Sequence, residues 1–426
     1  MTDCYGLKQQ VKKTIRASVE RPRAWIVIML TTLSLSACGM QGTADLQQKA
    51  EKTGTFEDVI ESEESGVFGE ESGSGLHKLD SFKPEYAEQF SIDHYEGGYS
   101  VININEAGSF LVADADKEVP ELFRDMTFIE RNPDRIYLAS SSSMDFFRAL
   151  DCLDRVALTS TKAPDWSLEE VKQLIENGDI LYAGKYSSPD YELLLRENCR
   201  LVIENTMIYH NPETKELIEK LGIPVMVERS SYESHPLGRM EWIRVYGCLM
   251  GKEEEADSFF EKEVQRLEER PADRKYGKSA VFFYITPGGY VNVRMPGDYV
   301  SGMIELAGGE YALNGLMKED EGAFSAVNIT MEEFYVRARD ADVLIYNSTI
   351  DGGIDSLEEL CAKNSLFSDF RACKEGNIWK NESDMFQEAT KAVQMIEELE
   401  AIFGGETENE EEFRFFHRMR QKNEEG

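Results

Sequence analysis

The chain has 426 residues, with 46 basic against 80 acidic side chains, a formal charge of −34 and 41% hydrophobic content. That composition belongs to globular chains, not disordered ones, and the length points to two lobes instead of one hydrophobic core. The acidity excludes the basic face that a binder of phosphate backbones requires, so no nucleic-acid partner is expected.

The N-terminus carries Lys8, Lys12, Lys13, Arg16, Arg21 and Arg23, followed by the apolar run Trp25–Leu35. This run is short for a bilayer span and has the layout of a secretory signal peptide. It ends in Leu35-Ser36-Ala37-Cys38, which resembles the bacterial lipobox: small residues admit a peptidase, and the thiol can take a thioether-linked diacylglycerol. Residues 1–37 are therefore expected to be removed. Lipid on Cys38 would then hold the protein on the extracytoplasmic face of the cell membrane. Residues 38–78 are rich in Gly, Ser and Glu and read as a flexible tether. Seven cysteines at 4, 38, 152, 199, 248, 361 and 373 show no CxxC or regular spacing. They fit neither a zinc ribbon nor a disulfide framework, and those of the body read as small buried hydrophobes.

Along the body, residues 79–235 form a first α/β lobe. A hairpin at Phe90–Tyr95 and Tyr99–Ile104 precedes strands at Arg135–Ala139, Ile180–Ala183, Arg200–Glu204 and Ile223–Glu228. Helices are expected at Ser140–Leu150, Ser167–Asn177 and Pro212–Leu221, and apolar runs of this length between helices argue a covered, mainly parallel sheet. Leu237–Glu269 keeps apolar residues at helical spacing without an internal proline. It predicts one long helix, or two abutting at Gly251, and residues 236–270 are assigned to the link between lobes. A second α/β lobe follows over 271–404, with strands at Ala280–Ile285, Tyr290–Arg294 and Val343–Asn347 and helices at Tyr299–Ala307 and Ser356–Lys363. Residues 405–426 read as a charged tail that frays.

The stretches Asp179–Tyr191, Glu204–Pro212, Glu228–Trp242 and Tyr290–Gly309 resemble the substrate-binding lipoproteins of ABC importers for iron-siderophore, haem and cobalamin. The strongest signals are Pro224-Val225-Met226-Val227-Glu228 just before the long helical segment, and Gly297-Asp298-Tyr299 followed one helix later by Ala307-Gly308-Gly309. The resemblance covers about residues 90–403. It implies two α/β lobes with mainly parallel sheets flanked by helices, joined by one long rigid helix, with a ligand between them and little hinge motion. It further implies a monomer that delivers a small-molecule metal chelate to an ABC permease and its ATPase. A ferric siderophore is the first expectation and haem or cobalamin the alternative. An acidic side chain on each lobe would dock on the permease. Glu213 stands at the first position, and either Glu358 or Glu359 at the second.

Strand-end and loop positions, where α/β sheets place ligands, hold Lys185, Arg229, Arg239 and Arg294 as cations for anionic chelate oxygens. Tyr186, Tyr209, Tyr232 and Tyr284 stand at similar positions and offer flat faces and hydroxyls. His210 and His235 are candidates for ligating the metal of a haem, cobalt or iron complex. Both come from the first lobe, so a bare metal site converging from two lobes is not expected. The chain has no GxSxG, HExxH, GxxxxGK[ST] or GxGxxG signature. A binding protein that performs no covalent chemistry is therefore expected, with a lipid-tethered hydrolase as the lesser alternative.

Overall fold

The computed structural model describes residues 76–271, 274–316, 325–350 and 353–419. The expected leader, Cys38 and the tether up to residue 75 lie outside the described residues. A five-stranded sheet opens the body: β1 (Lys78–Phe82), β2 (Phe90–Tyr95), β3 (Tyr99–Ile104), β4 (Gly108–Ala113) and β5 (Thr127–Glu130), in that order. It is antiparallel until β5, which joins β4 in parallel. Alternation along these strands sends Ile92, Ile102, Ile104, Phe110 and Val112 into one core, as the period of two requires.

The second sheet contains β6 (Ile136–Leu138), β7 (Val156–Thr159), β8 (Leu181–Tyr182), β11 (Leu201–Glu204) and β12 (Val225–Val227). Between β8 and β11 lies a small hairpin of β9 (Gly184–Lys185) and β10 (Ser188–Pro189). The sheet is wholly parallel with the order β12-β11-β6-β7-β8. Its connections carry the helices α1 (Met144–Ala149), α2 (Glu169–Asn177), α3 (Tyr191–Arg196) and α4 (Pro212–Lys220). Residues of both faces are buried, in two separate clusters, which explains the near-continuous apolar runs in its strands.

The link expected as one long helix, or two abutting at Gly251, does break at Gly251 and once more at Trp242, giving three helices: α5 (Pro236–Glu241), α6 (Ile243–Met250) and α7 (Glu253–Glu268). A turn at Trp242 interrupts the first two. Gly251 then caps α6 in the left-handed region, φ +66°, a conformation that glycine adopts without a Cβ penalty. Helix α7 turns back against α6, where a Cβ on Gly247 would lie 2.6 Å from the Cβ of Ala256. The lobes are joined by α7 alone of these three, about 24 Å of helix at the usual rise. Its Ala256 and Phe260 sit in the first-lobe core, and Leu267 packs against both lobes.

The second lobe is built from β13 (Ser279–Ile285), β14 (Val291–Arg294), α8 (Tyr299–Leu306), β15 (Glu310–Tyr311), β16 (Ala326–Ile329), α9 (Met331–Ala338), β17 (Val343–Tyr346), α10 (Leu357–Lys363), α11 (Arg371–Glu375), β18 (Ile378–Asn381), α12 (Ala392–Gly404) and β19 (Phe416–Arg418). Its sheet runs β16-β14-β13-β17-β18-β19, with β15 also on β13. The centre, β13, β17 and β18, is parallel, whereas β14, β16 and β19 are antiparallel. The expected frayed tail is therefore corrected as far as residue 419. The acidic stretch after Gly404 leads into β19, whose Phe416 is buried with Phe415 and Met419, so an edge strand and its aromatic anchors outweigh the local charge.

Cys152, Cys199, Cys248 and Cys373 are buried free thiols and Cys361 is half-buried. The Phe416→Ala substitution should destabilise the protein by about 3–5 kcal/mol, the usual cost of emptying a buried Phe site. Urea unfolding would measure it, and a change under 1 kcal/mol would mean that β19 contributes little.

Candidate functional site

In the parallel sheet the chain runs outward from β6 through β7 to β8, then returns to β11 and runs the other way to β12. The reversal between β6 and β11 leaves a crevice at the carboxyl ends of these two strands, because their following loops diverge. Ser140–Ser142 follow β6, Asn205–Met207 follow β11, and Glu228 and Ser231–Ser234 follow β12. Together they form one wall of a cleft of about 670 Å³. The second lobe supplies the facing wall through Arg294–Tyr299, Ser325 and Phe386. This volume lies in the range of small-molecule sites, about 300–1,000 Å³.

Arg239, on α5, is 5% exposed and lies between the lobes. One Nη donates to the Phe386 carbonyl at 3.0 Å and the guanidinium lies 4.6 Å from the Tyr299 ring centre. Its buried Nε has no acceptor, and no carboxylate lies in ion-pair range among the described residues. A buried cationic donor left unmatched is costly, so this N–H is suited to an oxygen brought by a ligand.

The neighbouring charges are already engaged. Arg294 pairs with Asp298 at 3.7 Å, and Asp298 also caps α8 by accepting from Val300 N–H at 2.9 Å. Burial raises the Asp298 carboxyl above its ordinary value, opposed by Arg294. Glu228 accepts from Ser140 Oγ at 2.6 Å and from Ser230 N–H at 2.8 Å. Glu233 accepts from the N–H groups of Glu88 and Gln89 and from Trp242 Nε1.

The structure separates the ten residues expected at the ligand. Tyr232, Arg239 and Arg294 line the cleft. Arg229 stands behind Tyr232, 4.6 Å from its ring centre, and is paired with Glu106 at 2.6 Å. The hydroxyl of Tyr209 donates to the Glu106 carbonyl beside it. Lys185 and Tyr186 do not line the cleft, because β8 is the edge strand opposite the switch point; Tyr186 packs on the outer core cluster. Tyr284 packs within the second-lobe core. His210 is exposed at the end of a helical turn. His235 caps α5, its Nδ1 accepting from Leu237 N–H at 3.1 Å, with its ring 5.0 Å from that of Tyr86. Burial lowers its tendency to protonate. Neither histidine reaches the cleft.

Glu213 is exposed in the first turn of α4. In the second lobe Glu359 is occupied by a capping box, accepting from Asp355 N–H at 2.7 Å while its own N–H donates to Ser356 Oγ. Glu358 has no hydrogen-bond or ion-pair partner among the described residues. Sequence reasoning missed Ser140–Ser142, which it read as the start of a helix, and also Asn205–Met207. The rule that ligands sit beyond strand carboxyl ends would have found both. No comparable signal marked Met295, Ser325 or Phe386: Met295 follows the antiparallel β14, Ser325 precedes β16, and Phe386 ends a short helical turn.

No protein-family model matches the chain. Two uncharacterized lipoproteins of Methanocaldococcus jannaschii are similar: one is 24% identical over 331 residues and the other 25% over 318, each match covering 71% of this chain and 77% of the relative. Among solved structures, the petrobactin-binding protein YclQ of Bacillus subtilis superposes with a TM-score of 0.52 at 14% identity, covering 65% of this chain and 93% of that one. An Fe3+-hydroxamate transport protein of Saccharomonospora viridis gives 0.51 at 20%, covering 65% and 95%. The periplasmic haem-binding protein HutB of Vibrio cholerae gives 0.50 at 15%, covering 62% and 98%. The two-lobed fold of periplasmic binding proteins, expected from the sequence, is thus the fold of this chain.

Directly before the cleft loop at Asn205, Glu204 is completely buried and neither carboxylate oxygen has a partner. Burial pushes its carboxyl from 4.5 up to about 8. Between these values the folded chain keeps a proton that the unfolded chain has released, so stability falls as pH rises from 4.5 through 8 and levels off above. Glu204→Gln should flatten this part of the curve and raise the Tm at pH 8. Thermal unfolding across pH 4–9 measures it, and an unchanged slope would place the titration elsewhere.

Proposed function

We propose that this chain is the extracytoplasmic, lipid-anchored receptor of an ABC importer, capturing a metal chelate, foremost a ferric siderophore, and handing it unchanged to a permease driven by a cytoplasmic ATPase. The observation that carries this reading is the interlobe cleft at the strand switch point with the unmatched Arg239 donor buried in its wall. Its support from comparison is the shared fold of proteins named for binding petrobactin or haem or for Fe3+-hydroxamate transport. The lipobox-like sequence at Cys38 supports anchoring, as do two relatives named as lipoproteins.

Other chemistries find less support. Haem held through imidazole lacks a histidine at the cleft. Acyl transfer would need a base on a hydroxyl, yet Ser140 and Ser142 both donate to Glu228 with no histidine beside them. A chelate brings its own metal ligands.

Titrating purified protein with ferric siderophores, haem and cobalamin, followed by tryptophan fluorescence, tests the reading. Saturable binding of a chelate that is recovered intact is expected, and chemical alteration of the ligand would overturn it. Arg239→Ala should weaken the chelate by about 1.5–3 kcal/mol, the worth of a hydrogen bond to a charged group; calorimetry on the folded variant would show this, and unchanged affinity removes Arg239 from the site. Glu213→Ala should leave chelate affinity intact and slow uptake in reconstituted vesicles. Equal transport rates would dismiss the docking role.

A further inference from the structure

The charge within the cleft is the opposite of what a polyanionic cargo needs. Arg294 is neutralised by Asp298, and Arg229 by Glu106. Glu228 and Glu233 are buried in the wall with neutral donors and no basic partner. Both oxygens of Glu233 accept from N–H groups, hydrogen bonds that favour its ionised form and oppose the upward push of burial on its carboxyl. Glu88 adds a further carboxylate at the lining, its side chain without a partner among the described residues. Against these stands Arg239, which has no carboxylate partner among the described residues and whose buried Nε is unmatched. The rest of the lining is made of hydroxyls, as in Ser142, Ser231 and Ser325, and of the faces of Tyr232, Tyr299 and Phe386. The chain as a whole carries a formal charge of −34, which adds long-range repulsion of anions.

We infer that the cleft selects a metal chelate of zero net charge over a polyanionic one, gripping it by hydroxyl and aromatic contacts with one chelate oxygen on Arg239 Nε. The inference rests on the receptor reading above and narrows its ligand to a charge class. A trivalent ion held by three singly charged bidentate donors, as in a trihydroxamate, is neutral. The same ion held by three doubly charged donors, as in a triscatecholate, is trianionic. The trianion would place its charge against Glu228, Glu233 and Glu88 in a partly dry site, where repulsion is screened less than in water. Net charge, not the presence of the metal, is thus the property the wall reads.

The test compares ferric trihydroxamate and ferric triscatecholate on the full mature protein, by tryptophan quenching and calorimetry at low and at about 0.5 M salt, where the screening length falls well below 10 Å. The neutral complex should bind at least tenfold tighter at low salt. Salt should narrow the ratio, and so should Glu88→Gln. Equal or tighter binding of the trianion overturns the charge inference and leaves the receptor reading standing. A preference that ignores both salt and Glu88→Gln also overturns it, because shape would then be deciding. Binding of neither complex overturns the inference, and the receptor reading fails with it only if haem and cobalamin also do not bind.

Discussion

A fully buried carboxylate at the joint between the lobes fixes the width of the cleft. Asp145, on α1 of the first lobe, accepts from both the N–H and the hydroxyl of Thr390 in the second, at 2.8 and 2.6 Å, and from Arg148 at 2.9 Å. Each of the two bonds from Thr390 is a hydrogen bond to a charged group, worth about 1.5–3 kcal/mol, so this joint resists opening. Helix α7 makes a second connection through Arg266 to Glu397 and Arg270 to Glu400, both on α12. Ala389 and Val393, at the start of α12, are buried in the first-lobe core. With the lobes joined at both levels, the gap is a standing feature of the fold, and Arg239 can be held between Phe386 and Tyr299 before any ligand arrives. Binding energy then need not be spent on ordering the site.

The same chemistry recurs where irregular backbone must be tied to a helix. Glu241 accepts from three successive N–H groups, Glu85 to Ala87, and Glu233 from the next two. Glu398, on α12, accepts from Arg414, Phe415 and Phe416 and so fastens the segment that enters β19. Buried backbone donors outside regular structure need acceptors, and a carboxylate supplies several at once. In a chain with 80 acidic residues these glutamates are indistinguishable by sequence from those on the surface. For that reason the anchoring of the tail by Glu398 is not legible in the sequence; in the 236–270 segment the break at Gly251 is legible, and the turn at Trp242 is not, because periodicity identifies helix but not every point where it is interrupted.

The cleft follows from topology more than from any motif. Its first-lobe wall consists of whatever follows β6, β11 and β12, and those loops happen to be rich in hydroxyls and carboxylates. Arg229 illustrates how position can mislead. It stands at a strand end, as a ligand cation would, but Glu106 lies 2.6 Å away from a tight turn 123 residues earlier and takes its charge. Arg239 and Arg229 look equivalent along the chain, and of the two only Arg229 has a carboxylate partner, whereas Arg239 keeps a buried Nε without an acceptor.

What the sequence alone determined is everything that rests on local pattern. The period of two in β2 and β3, the short apolar runs of β6, β11 and β12, the helices at α2, α4 and α8, and the alternation that makes two α/β lobes are written in neighbouring residues, because burial of one face requires them. The tertiary structure decided which charges meet. Whether Arg239 is left with an unmatched N–H, whether His235 caps a helix or faces a metal, and whether Lys185 borders the cleft depend on strand order and on partners more than a hundred residues away. Coulomb and hydrogen-bond energies depend on distance in space, and separation along the chain does not specify that distance.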